Sequence, residues 1–355
     1  MENSSILKIQ LSNTDKESLA NELKGIEYNA LGEHQYIQAL RRAIYKTLPH
    51  ELIDIMHNQK TTQGLYSGIV IDNIPIDSDI IGSPRADQTG KQFKSGVISE
   101  NIITAFSSLI GEPYSIYFEG QELVNNLTPQ KNTKRDYTGL GSEVELDFHI
   151  ENAALQYISE DDYSPLGIFF LGVRADEKAE QAKTFISDAR KALKRLSKSD
   201  LDILYGNNFH LHLPYRWREA FHHSKINTTK CPVIRGSLEL PRISVAFYPD
   251  MVTPADNRAK TALKNLHEAI SHVSEYVEIT PGRLVYVDNR FTLHSRSKFE
   301  PTYDEQGHPY RWIHRVFVAS SLWPFRHFES IGDRVFLPKL GLGVNYVSEA
   351  LSDVA

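Results

Sequence analysis

Cysteine is nearly absent: Cys231 is the only one in 355 residues. A single thiol excludes an internal disulfide framework and any zinc site built on cysteines. Long hydrophobic runs are missing too. The stretch at 168–173 is among the longest, far too short to cross a bilayer. Positive charge is not in excess, and the formal net charge of −6 argues against nucleic acid or an anionic membrane as partner. The opening MENSSILKIQ has no basic start leading into an apolar core, so no secretory signal is read and a reducing, cytoplasmic setting is expected. Internal repeats and low-complexity tracts are lacking as well. What is present is ample apolar content, 41% of residues, for the core of one large domain.

Periodicity divides the chain into a helical beginning and a β-rich remainder. Thr14 to Glu17 reads as a capping box, Leu19 and Leu23 share a face, and Gly25 supplies a stop. Ile37, Leu40, Ile44 and Leu48 are spaced for one buried helical face, and Pro49 opens another turn through Met56. From residue 114 onward the character is short β-rich runs, at 114–119, 145–149, 154–158, 167–173, 243–248, 284–288 and 315–322. Many short strands separated by turn signals predict a sandwich or jelly roll. Two helical insertions are expected within them, at 176–204 and 255–277. The organisation reads as one domain over 1–355: helical support at 1–65, a jelly-roll core at 66–322 and a C-terminal extension at 323–355.

Residues 145–151, ELDFHIE, are the most informative stretch. Side chains two apart in a strand share a face, so His149 and Glu151 project together while Ile150 turns away. One more histidine from another strand would complete a two-histidine, one-carboxylate facial triad, which suits Fe(II) with open positions. Spacing alone does not decide this, because His327 and Glu329 repeat it in a context with no strand and no second ligand following. His210 with His212, and His222 with His223, have no accompanying carboxylate motif. His294 ends the segment VDNRFTLH after the strand at 284–288 and is the candidate third ligand; a satisfied histidine at a strand end is the plain alternative. Arg311 and Arg315 follow, as two guanidinium groups suited to bidentate carboxylate recognition or as two surface arginines.

Together these pieces resemble the clavaminate synthase-like Fe(II)/2-oxoglutarate oxygenases, in the branch that holds arginine, asparagine and lysine hydroxylases. ELDFHIE, the 288–294 stretch ending in histidine and the Arg-x-x-x-Arg carry the likeness, with Gly139-Leu140-Gly141-Ser142 and Val173-Arg174-Ala175-Asp176. It spans about 66 to 322. The resemblance implies a mainly β, cupin-like double-stranded β-helix with helical support, using Fe(II), 2-oxoglutarate and O2. It implies His149, Glu151 and His294 as catalytic iron ligands, Arg311 on the distal carboxylate of 2-oxoglutarate, and Thr184 as a hydrogen-bond partner of that cosubstrate. Arg315 would hold the α-carboxylate of an amino-acid substrate and Gln121 an amide near its ammonium. Asp250 would meet a basic side chain, or be a turn residue between Pro249 and Met251. The loops at 125–137 and 222–236 are the expected lids.

The resulting expectation is hydroxylation of a free basic L-amino acid, L-lysine at C4 foremost. Arginine, another amino acid or a carrier-tethered one are alternatives. A non-catalytic jelly-roll binding module is the alternative of another class. A small-molecule substrate is the expected partner, with neither nucleic acid nor membrane, and a homo-oligomer is left open.

Overall fold

The apolar run near residue 170 forms the strand Gly167–Arg174, and its position accounts for its composition. Ile168 and Phe170 enter one hydrophobic cluster, while Phe169 and Leu171 enter another. A strand covered on both faces has no polar side with which to alternate. The computed structural model describes residues 4–85, 88–137, 140–158, 161–221, 226–338 and 346–348, with 226 and 346–348 described by backbone alone.

That strand lies in a nine-stranded sheet ordered Ile6–Gln10, Gly68–Asp72, Leu284–Asp288, Gly167–Arg174, Trp312–Ala319, Glu112–Ile116, Val335–Leu337 and Glu329–Ser330. Asn125–Leu127 also pairs with Trp312–Ala319. A four-stranded antiparallel sheet is ordered Glu275–Glu278, Lys183–Asp188, Thr292–Arg296 and Leu146–His149. The two sheets share one core, in which Phe170, Val285 and Phe317 join Phe148, Ile186 and Leu293. This is the jelly roll expected from the sequence.

The far face of the large sheet is covered by the helices Asn13–Leu23, His34–Thr47, His50–Asn58 and Ile98–Ile110. Leu19, Ile37, Leu40, Ile44, Phe106 and Leu109 pack there against Phe169, Leu171, Val316 and Val318. Under the same layer the Lys94 ammonium is wholly buried, 2.7 Å from Asp77 and 2.5 Å from Glu100. Among the described residues no helix is long and apolar enough to cross a membrane.

Several elements differ from expectation. Residues 183–188 of the first insertion are the strand Lys183–Asp188, and helix is confined to Ala189–Leu193 and Lys198–Leu204. Pairing on both edges, with Glu275–Glu278 and Thr292–Arg296, overrides the helical spacing of Phe185, Ile186 and Ala189. In the second insertion the helix is Asn257–Val273, and residues 275–278 turn into the edge strand. The run at 154–158 is a 3-10 turn, Ala153–Gln156, because Asn152 ahead of it takes a left-handed φ of 56°. Of the region at 243–248 only Ile243 is in a regular strand, as the last residue of Pro241–Ile243, and Ala246 meets His149 through one isolated bridge. The first helix is capped by Ser12, whose side chain accepts the Asp15 N–H, rather than by Thr14. The jelly roll also does not stop at 322, since Val335–Leu337 joins Glu112–Ile116 in parallel.

Candidate active site

His149 and His294 are direct cross-strand partners in the four-stranded sheet. Opposed residues of an antiparallel pair project on one face within contact distance, and here the imidazole centroids are 4.2 Å apart. Glu151 lies just past the end of its strand, yet its Oε2 is 3.9 Å from His149 Nε2 and 4.0 Å from His294 Nε2. Among the described residues this is the only group of His, Cys, Asp and Glu side chains placed to share a metal ion.

Contacts with the backbone fix two of the three groups. His149 Nδ1 is 2.8 Å from the Asp147 carbonyl, so Nδ1–H donates there and the Nε2 lone pair is left for the centre. The fully buried Asn289 holds the Glu151 backbone from both sides. It accepts the Glu151 N–H at 2.8 Å and donates to the Glu151 carbonyl at 3.1 Å and the Pro165 carbonyl at 2.9 Å.

Electrostatics suit a cation. Burial drives His149 down to about 4 and His294 well below its ordinary value, so both imidazoles are neutral, the form that ligates metal. Burial also pushes Glu151 up to about 7, although Arg315 pulls the other way. A dication between these groups would keep the carboxylate ionised.

Arg311, Ile313 and Arg315 face the same cavity, as alternation along Trp312–Ala319 requires. The buried Arg311 guanidinium lies 5.0 Å from the Phe299 ring centroid and has no carboxylate or carbonyl partner among the described residues. Burial, then the neighbouring Arg296, lowers it to about 9. The loop leading to it is pinned by Asp176, which accepts the Thr302 N–H at 2.6 Å and its hydroxyl at 2.7 Å. Arg315 is occupied: Nη2 lies 3.1 Å from Glu119 Oε2 and 2.8 Å from Asn125 Oδ1. Thr184 lines the cavity on the strand beside Arg296.

Two expected residues do not reach the cavity. Gln121 is exposed with φ of 63°, at the end of the short helix Tyr117–Gly120, and the left-handed turn directs it to solvent. Asp250 is likewise exposed with φ of 60°, so it is the turn residue, while Tyr248 lines the wall. His210 and His212 are satisfied by the Thr228 carbonyl and the Thr253 hydroxyl. His222 and His223 lie outside the described residues, as does part of the expected lid at 222–236. The other expected lid contributes Tyr137 to the cavity.

Sequence reasoning missed Glu119, Arg216, Asn289 and the tyrosines 137, 215 and 248. Glu119 stood two residues from Gln121, within the run already singled out. Arg216, on the helix Tyr215–Ala220, carries no motif.

The family model described as taurine catabolism dioxygenase TauD, TfdA family matches residues 93–317. L-asparagine oxygenase of Streptomyces coelicolor is 26% identical over 290 residues, 81% of each chain. Enduracididine beta-hydroxylase of Streptomyces hygroscopicus is 23% identical, over 86% of this chain and 91% of that protein. Among solved structures, asparagine oxygenase with Fe(II), hydroxyasparagine and succinate superposes with a TM-score of 0.79 at 24% identity, over 94% of this chain and 99% of that one. The non-heme iron oxygenase OrfP with Fe and alpha-ketoglutaric acid gives 0.75 at 22% identity, over 93% and 99%.

Proposed function

We propose, from the premise that this chain belongs to the TauD, TfdA family of dioxygenases, that it hydroxylates an unactivated C–H of a free α-amino acid. As a member it is an Fe(II)- and 2-oxoglutarate-dependent oxygenase of the amino-acid-hydroxylating kind. The observation that carries the reading is one cavity holding both a His-Glu-His cluster and a buried guanidinium without an acid. A chain gains nothing in stability from an unpaired buried cation. An anionic cosubstrate beside a metal explains both features.

His149, Glu151 and His294 would hold Fe(II) on one face, leaving positions for 2-oxoglutarate and O2. When bound, that set supplies the oxidising power for C–H hydroxylation, with succinate and CO2 as the other products. The chain's own residues bind and orient. Arg311 pairs with the distal carboxylate of 2-oxoglutarate as a bidentate fork, and Thr184 offers a hydroxyl from the adjacent strand. Arg315, held by Glu119 and Asn125, takes the α-carboxylate of the amino acid, and the paired Glu119 complements its ammonium.

Hydroxylation of L-lysine at C4 remains the finest form of the sequence expectation, and L-lysine 3-hydroxylase of Catenulispora acidiphila is a relative at 24% identity over 59% of this chain. Asp250, however, no longer supports it, because its carboxylate lies outside the cavity.

Arg311→Ala is expected to raise the 2-oxoglutarate concentration needed for half-maximal succinate formation by about thirtyfold or more, since truncating one partner of a desolvated charge pair costs upward of 2 kcal/mol. Steady-state kinetics against 2-oxoglutarate check this, and an unchanged requirement would remove Arg311 from the assignment. Asn289→Ala is expected to weaken Fe(II) binding by roughly 10–100-fold, as loss of ligand-orienting contacts does. Anaerobic Fe(II) titration with fluorescence readout reads that loss directly.

A further inference from the structure

The charges facing the cavity do not balance. Arg216, Arg296, Arg311 and Arg315 line it against Glu119 and Glu151 alone among the carboxylates. Arg296 is committed to the backbone, donating to the Gly141 and Val144 carbonyls. The Glu119 carboxylate is used by Arg315 and by Trp217 Nε1, 2.9 Å away. Glu151 faces the two histidines. Under the reading proposed above, Arg311 meets the cosubstrate and Arg315 the α-carboxylate. Arg216 is then left over.

Its placement is specific. Arg216 Nη1 donates at 2.8 Å to the Glu119 backbone carbonyl, which anchors the guanidinium beside the Glu119–Arg315 pair. No carboxylate lies within ion-pair distance of it among the described residues. Tyr215 and Tyr248 line the same wall, with ring centroids 6.1 Å apart. A half-buried guanidinium with donors to spare calls for a planar oxyanion, which it can grip with two N–H groups.

We infer that Arg216 is a specificity-determining residue that holds a second carboxylate, carried on the side chain of the substrate, so that the substrate class is the dicarboxylic α-amino acids. This rests on the amino-acid oxygenase reading and narrows it. An acidic side chain enters a cavity whose unmatched charge is positive and reduces the imbalance. A basic side chain adds a cation beside Arg216 and Arg315 with no acid at the far end, a repulsive arrangement that selects against it. The Glu119–Arg315 pair presents both signs to the zwitterionic head, and Arg216 reads the side chain.

The test uses the full chain under anaerobic conditions with Fe(II) and 2-oxoglutarate. Appearance of the visible metal-to-cosubstrate absorption band checks the underlying oxygenase reading by itself. L-aspartate, L-glutamate, L-asparagine, L-lysine and L-arginine are then added singly, and the band shift and calorimetric binding are measured. L-aspartate or L-glutamate is expected to bind and shift the band, with L-lysine and L-arginine at least about thirtyfold weaker. Arg216→Glu is expected to invert that order, while Arg216→Lys retains the preference for the acids at reduced affinity. Circular dichroism of both variants confirms folding, and the conservative variant serves if Arg216→Glu does not fold. Tight binding of L-lysine, L-arginine or L-asparagine with no response to the two acids overturns the inference and leaves the oxygenase reading intact. A well-folded protein without the band sinks that reading instead, and calorimetry with L-glutamate against L-lysine still decides the role of Arg216.

Discussion

His294→Ala is expected to reduce substrate-dependent succinate formation by more than about a hundredfold while the protein remains folded. The magnitude follows because losing even a ligand-orienting contact costs 10–100-fold, and loss of a ligand removes more. Folding survives because His294 Nδ1 makes no hydrogen bond among the described residues, so truncation orphans no partner. His149→Ala should behave alike in activity but frees the Asp147 carbonyl that accepts its Nδ1–H. Succinate assays beside circular dichroism separate the two effects. Retention of a tenth of the activity by the His294 variant would falsify the ligand assignment.

The second large effect concerns stability. Lys94→Met is expected to lower unfolding free energy by roughly 3–5 kcal/mol, the cost of breaking a buried ion pair by removing one partner. The ammonium is completely enclosed, and its loss strands the carboxylates of Asp77 and Glu100. Burial raises the Asp77 carboxyl, but hydrogen bonds and charge from Lys94, with Ser99, outweigh it and leave it below its ordinary value. A folded pKa below the unfolded one contributes stability at neutral pH that is lost as pH falls through the folded value. Burial instead raises Glu100, so its ionised form is held at a cost. Urea denaturation at neutral and acid pH should therefore show the Lys94→Met penalty shrinking as Asp77 protonates. A penalty below about 1 kcal/mol would place the cluster in the class of weak surface pairs.

Legibility in the sequence followed periodicity. Leu284–Asp288 and Gly167–Arg174 were readable because apolar density exceeded anything a loop would carry. His149 with Glu151 was readable from two-residue spacing, although the strand ends at His149 and Asn289 holds Glu151 beyond it. Arg311 and Arg315 bracket one face of a single strand, for the same reason. Lys183–Asp188 was not, since Phe185, Ile186, Ala189, Leu193 and Leu196 fit a helix equally well and only sheet pairing decides. Gln121 and Asp250 failed for a different cause. Each sits in a left-handed turn, where one backbone dihedral sends the side chain into the cavity or out of it. Arg216 had no local signal at all. Its significance depends on which acids are already taken, and that is a property of the assembled cavity.

The direct opposition of His149 and His294 has a consequence for assembly. Sliding the Leu146–His149 strand by one position along its neighbour would send one imidazole through to the other side of the sheet. Sliding it by two would keep the side but separate the rings by a full repeat. Only one alignment lets both nitrogens grip the same ion. An ion shared by the two nitrogens would therefore reward the correctly threaded barrel and none of its near misses.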